Sequence, residues 1–167
     1  TESYGDKGIL HRLYQGVTGL FTDSEEETEE SDVEEFMTFD RLGEKELKKA
    51  KEFLPGLYVP TYIPEGYELE QLKIEKYYSG DYLCDYAYNS EDRIIKILLY
   101  YSMDSERSNQ WPEDGELIEM SDRKIFVTED SVSGEPWVSV YTETCNIDIS
   151  GSSEKDQLIE IGKRMTK

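Results

Sequence analysis

Residues 67–102 read YELEQLKIEKYYSGDYLCDYAYNSEDRIIKILLYYS, and the period of that stretch decides the fold. Leu69, Gln71, Lys73 and Glu75 alternate with Glu70, Leu72, Ile74 and Lys76. A period of two is that of a strand, and it puts Leu72 and Ile74 on one face. Ser79-Gly80-Asp81 is a turn. Tyr82, Cys84, Tyr86 and Tyr88 then share one face of a second strand, opposite Leu83, Asp85 and Ala87. Residues 89–92 turn the chain again, and residues 93–102 carry enough Ile and Leu to predict a third strand near the centre of a sheet.

Toward the C-terminus, residues 103–115 are polar and loop-like, with Trp111-Pro112 inside them. Residues 116–120 and 124–128 read as a hairpin around Ser121-Asp122-Arg123, and residues 137–142 and 146–150 as a second one. Ser153, with Asp156 three positions on, has the spacing of a capping box and opens a last helix. Leu158, Ile161 and Met165 follow at helical steps. The fold class expected is α+β: an antiparallel meander of five to seven strands, the C-terminal helix packed on one face, and helices at the N-terminus.

Toward the N-terminus, residues 59–67 read VPTYIPEGY. Pro60 and Pro64 fix φ and keep their predecessors extended, while Gly66 permits a turn. Residues 43–54 form a short helix by periodicity, with Leu47, Ala50, Phe53 and Leu54 on one side and Pro55-Gly56 ending it. Nine of the thirteen residues 23–35 are acidic. Charge of one sign at that density cannot bury a core, so residues 23–42 are expected to be a disordered linker. Residues 6–21 hold Ile9, Leu10, Leu13, Val17, Leu20 and Phe21 at helical spacing. This gives three expected parts: 1–22, an amphipathic helix or juxtamembrane stem; 23–42, the linker; and 43–167, the α+β domain. The apolar stripe can lie on its own domain, on a second copy to make a dimer, or beside a membrane anchor.

The charge balance limits the partners. With 18 Lys and Arg against 38 Asp and Glu, the formal net charge is -20. Such a surface repels phosphate backbones and anionic lipid headgroups, so nucleic acid is excluded as a partner. No run approaches the ~20 apolar residues that span a bilayer. Cys84 and Cys145 stand without a CxxC or Cys/His cluster, which argues against zinc. They are either two buried thiols or one disulfide closing a long loop. The single histidine, His11, lacks a partnered motif, and no nucleophile elbow, phosphate loop or metal signature occurs. The sequence therefore predicts no catalytic residue, no metal and no cofactor. Tyr77, Tyr82, Tyr86, Tyr88 and Tyr101 cluster on the first three strands. Cross-strand packing accounts for them; an aromatic face for a glycan, peptide or protein partner is the other reading.

Residues 59–70, VPTYIPEGYELE, resemble the opening motif of the DUF4367 family. This is a domain of unknown function in bacterial, mostly Firmicute, membrane-anchored proteins that are anti-sigma-factor-like or sporulation-related. The strand at 94–101, the tryptophan strand Trp137-Val138-Ser139-Val140, the strand 147–151 ending in Gly151 and the helix 157–165 follow in the family's order. The resemblance covers about residues 56–167. Ile147 stands where family members usually carry an aromatic, and Cys84 and Cys145 are not family hallmarks. The resemblance implies a single-pass anchor N-terminal to Thr1, a place on the extracellular face of the cell membrane, and no catalytic residues. The expected function is that of a non-catalytic extracytoplasmic sensing or protein-interaction domain, its partner an unknown protein or cell-envelope ligand. The alternative is a carrier-type module that holds a lipid or lipoprotein segment on a curved sheet.

Overall fold

The computed structural model describes residues 32–102 and 115–167. Its elements in chain order are β1 (Val33–Phe39), α1 (Glu44–Phe53), β2 (Val59–Pro60), β3 (Glu68–Tyr77), β4 (Tyr82–Ser90), β5 (Arg93–Tyr101), β6 (Glu116–Glu119), β7 (Arg123–Glu129), β8 (Pro136–Thr142), β9 (Asn146–Gly151), α2 (Lys155–Lys163) and β10 (Met165–Thr166). Eight strands form one antiparallel sheet in the order β1-β3-β4-β5-β9-β8-β7-β6. β2 and β10 form a separate two-stranded ladder.

The expected class is corrected. The described chain is mostly antiparallel sheet with two short helices, rather than an α+β fold with N-terminal helices. The sheet has eight strands, not five to seven, and the extra one comes from the acidic segment. Residues 33–39, expected as part of a linker, pair with β3, where Glu34 meets Lys76 at 3.0 Å. A neighbouring strand supplies the cation and the backbone partners that the segment lacks in isolation. The helix expected over 6–21 and the acidic residues 23–31 lie outside the described residues.

The register explains the core. One inward row crosses the sheet as Met37, Ile74, Cys84, Leu99, Ile147, Val140, Ile125 and Ile118. The next runs Phe39, Leu72, Tyr86, Ile97, Ile149, Val138 and Val127. Nearly every member is buried. α1 and the segment after it bring Ala50, Leu54, Leu57 and Tyr58 onto these rows, with the Phe53 ring edge-on to Tyr82 at 5.9 Å. α2 covers β7–β9 with Leu158, Ile159 and Ile161. Nine residues are too few for a stable isolated helix. Full burial of a Leu or Ile contributes about 1.5–3 kcal/mol, so Leu158 and Ile161 hold α2 by packing. The capping box is corrected: Glu154 is the N-cap, and Ser153 Oγ donates to Gln157 Oε1 at 2.5 Å.

The proline-rich entry is fastened to the chain's other end. β2 pairs with β10, and Thr61 donates to the Arg164 carbonyl from its N–H at 3.0 Å and its hydroxyl at 2.7 Å. Gly66 takes φ +88°, a backbone state open to glycine, and turns the chain into β3. Tyr67 then donates its hydroxyl to Ser152 O at 2.5 Å, under the Arg93 guanidinium. Two distant stretches of sequence are thereby bound into one end of the sheet.

Candidate functional site

The tyrosines expected to form a binding face are placed elsewhere by the alternation of β4 and β5. Tyr86, Tyr88 and Tyr101 point into the core with 0%, 7% and 8% of their surface exposed. The hydroxyls of Tyr86 and Tyr101 are tied to the segment after α1. Tyr86 donates to Tyr58 O at 2.9 Å, and Tyr101 accepts from Tyr58 N–H at 2.8 Å and donates to Gly56 O at 3.3 Å. Burial pushes all three phenols well above their ordinary value. Tyr82 is half-buried against Phe53, and Tyr77 donates to Glu75 at 2.9 Å. These five residues carry packing, and the aromatic face assigned to them is corrected.

Cys84 and Cys145 are buried thiols with no disulfide between them. They look toward the same side, Cys84 opposite Leu99 on β5 and Cys145 one residue before β9. The whole of β5 separates them, and two strand spacings amount to about 9–10 Å. A disulfide needs Cα atoms within about 7 Å, so the pairing is corrected in favour of two thiols. Burial raises the Cys84 thiol well above its usual value, with Cys145 adding to the effect.

The other side of the sheet carries the chemistry. Its rows follow from the same register. One runs Gln71, Ala87, Lys96, Ser150, Trp137 and Thr128. The middle row runs Thr38, Lys73, Asp85, Leu98, Asp148, Ser139, Phe126 and Leu117. The third runs Phe36, Glu75, Leu83, Tyr100, Asn146, Tyr141, Lys124 and Glu119. Aromatic, aliphatic and charged groups are mixed here. Trp137, Tyr100 and Tyr141 are half-buried, Leu83 and Phe126 are buried, and Phe126 meets Tyr141 edge-on at 5.7 Å.

Asp148 sits at the middle of this face, between Leu98 and Ser139. Its Oδ1 accepts from Ser139 Oγ at 2.7 Å and from Trp137 Nε1 at 3.3 Å. Burial raises its pKa above the ordinary 3.8, and those two hydrogen bonds lower it by less. Lys96, diagonal to it on β5, pairs instead with Asp85 at 2.8 Å. Among the described residues no Lys or Arg forms an ion pair with Asp148. A half-buried carboxylate without a counter-charge is unusual, because desolvation normally demands one.

Two further features are plainer. A shallow hollow of about 430 Å³ lies at the start of α2, lined in part by Arg93, Glu135, Ser153 and Gln157. Among the described residues no group of His, Cys, Asp and Glu is arranged to hold a metal ion, and no helix is long and apolar enough to cross a membrane.

Sequence reasoning passed over Asp148, Trp137, Ser139, Tyr141 and Phe126. The signal was available: Ile147 and Ile149 bracket Asp148, and Val138 and Val140 bracket Ser139, so the polar members had to face outward. No protein-family model matches the chain, and no curated protein matches it. The likeness to the DUF4367 family therefore rests on the motif residues alone.

Proposed function

We propose that this chain is a non-catalytic interaction domain that meets its partner with the outward face of β5, β9, β8 and β7. The observation that carries the reading is the contrast between the two sides of the sheet. The inward side is filled by the protein's own helices and loop, with Leu57, Leu158 and Ile161 fully buried. The outward side mixes half-buried Trp137, Tyr100 and Tyr141 with Lys96, Asp85 and Asp148. Aromatic groups among satisfied and unsatisfied charges are the composition of recognition surfaces.

Two alternatives fit less well. A carrier needs an apolar cavity, and the apolar side here already holds α1, α2 and residues 54–58. An enzyme needs a nucleophile, a base and donors for a developing oxyanion. Ser139 does donate to Asp148, but the backbone N–H groups around it belong to the β7–β8–β9 ladder and are unavailable to a substrate. The motif likeness of residues 59–70 adds the setting: an extracytoplasmic domain of a membrane-anchored bacterial protein, sensing or binding a protein or envelope ligand.

The test is site-specific photo-crosslinking in living cells. A benzoylphenylalanine at Ser139 or Thr128 should give a discrete adduct. The same probe at Lys163, on the far side, should not. Equal labelling from both sides, or none from the outward face, would overturn the reading.

A further inference from the structure

β1 is one end of the eight-stranded sheet and β6 the other. A strand in that place presents a row of backbone N–H and C=O groups that the sheet itself does not use. Folded proteins usually spoil such a row with proline, lysine, a bulge or a very short strand. β6 has four residues. β1 has seven, VEEFMTF, with no proline and no lysine. Its bulge falls at the start, between Val33 and Glu35, and from Phe36 to Phe39 the register with β3 is regular. Phe36 stands 64% exposed on the outward side, with the Lys73 ammonium 5.8 Å from its ring centre. Exposed acids bracket this stretch, Glu34 and Glu35 before it and Asp40 after it. Glu34 is held by Lys76 at 3.0 Å. Glu35 and Asp40 enter no ion pair among the described residues.

We propose that the outer edge of β1 is a docking site for an extended basic segment of a partner protein, which adds to the sheet as a further strand. This site lies apart from the outward face of β5, β9, β8 and β7 and does not rest on the role given to that face. Main-chain hydrogen bonds along residues 36–39 supply affinity, and side chains at alternate positions supply specificity. A side chain placed opposite Phe36 comes within about 4.5–5.5 Å of it, Cβ to Cβ, so a β-branched or aromatic residue fits there. Lysine or arginine toward the ends of the segment meets Glu35 and Asp40. The net charge of -20 draws a basic chain in and speeds the encounter. The same charge opposes a second copy of this chain, which brings the same acids to the seam. An acidic segment meets like charge at both ends of the stretch, so the bracket selects against it.

The experiment uses the whole chain labelled with ¹⁵N and an acetylated peptide whose valine and threonine centre lies between lysine pairs. Saturable shifts of the amides of residues 36–39 are expected, with slowed hydrogen exchange at alternate ones. Two control peptides separate the contributions. Methylation of the central backbone nitrogens removes the ladder bonds, and glutamate in place of lysine reverses the charge; each should bind about tenfold weaker. Changing both Glu35→Lys and Asp40→Lys alters two exposed side chains and should weaken the parent peptide by a similar factor. β1 amides that ignore the peptide, or that respond equally to the methylated one, overturn the proposal, and this comparison holds even if the double variant folds poorly. A chain that sediments as a dimer with those amides already protected also overturns it, since a second copy then holds the edge. The outcome is separable from the crosslinking of the outward face: either result stands when the other fails.

Discussion

Arg123 on β7 clamps the end of α2: its Nη1 donates to the Gly162 carbonyl at 3.0 Å and to the Met165 carbonyl at 2.7 Å. The side chain is 5% exposed, its other nitrogens meet the Asp122 carboxylate, and its guanidinium lies 5.8 Å from the Tyr58 ring centre. Helix C-termini leave carbonyls without intrahelical partners, and a cation there satisfies both the hydrogen bonds and the dipole. One residue thus ties together the sheet, α2, β10 and the segment after α1. Replacing Arg123 with Met keeps the aliphatic stem and removes the donors. We expect a loss of about 2–3 kcal/mol in urea unfolding, since two buried carbonyls lose charged donors. Arg123→Lys should recover only part of it, because an ammonium lacks the planar fork that holds the Asp122 carboxylate through Nε and Nη2 while Nη1 serves both carbonyls. A Met variant as stable as the parent would show the clamp to be ornamental.

Gly162 reports how tightly α2 sits on the sheet. A Cβ there would stand 2.9 Å from Val140 Cγ2 and 3.4 Å from Ile149 Cδ1. Alanine favours a helix over glycine by about 1 kcal/mol. Overpacking a dense core costs about 1–3 kcal/mol. The contact should win, and Gly162→Ala should lower the midpoint of denaturation. Ile161→Asp, which buries a charge with no partner at a site of 0% exposure, should unfold the domain altogether. Circular dichroism distinguishes the two outcomes.

The thiols allow a direct chemical check. Cys84 and Cys145 are each 0% exposed, and burial keeps the Cys84 thiol protonated. The thiolate is the reactive form. The native protein should therefore resist a disulfide-exchange reagent over minutes, and urea should release two reactive thiols per chain. Intact mass without reductant should match the fully reduced chain. A mass lower by two hydrogens would establish the bridge that the strand spacing excludes.

Much of the sheet can be read from local sequence, because alternation is a local property. The stretch 67–102 shows three strands by its period, and the observed β3, β4 and β5 fall within it. What is not local is pairing. Glu34 and Glu35 look like linker until Lys76 of β3 is placed beside them. Tyr86 and Tyr101 look equally suited to core or surface until residues 54–58 cover one side of the sheet. The candidate site shows the same division. Trp137, Ser139 and Asp148 can each be read as outward from the valines and isoleucines beside them. That they converge depends on the β8–β9 register, which is set by a turn and by burial across the whole sheet.

Asp148 carries a cost to the fold that depends on pH. Its pKa is raised on folding, chiefly by burial, so the folded chain holds that proton more tightly than the unfolded one. Between the ordinary value of 3.8 and the higher folded value, stability falls as pH rises. Above the folded value the penalty is constant, and below 3.8 it vanishes because both states are protonated. Asp122 and Asp130 act in the opposite sense. Asp122 is held low by Arg123 and Asp130 by the N–H groups of Ser133 and Val132, so each stabilises the fold at neutral pH and that support is lost as pH falls. The bulk pH profile mixes these signs, whereas a difference profile isolates Asp148. Asparagine retains an oxygen to accept from Trp137 and Ser139 and removes the charge. Asp148→Asn should then be at least as stable as the parent at pH 7, with its advantage shrinking as the pH is lowered toward 3.8. Groups that serve recognition are often costly to the fold in this way. Paired urea titrations across that range make the measurement. A parent more stable than the Asn variant at neutral pH would mean that the fold compensates the charge, and the carboxylate would then be structural.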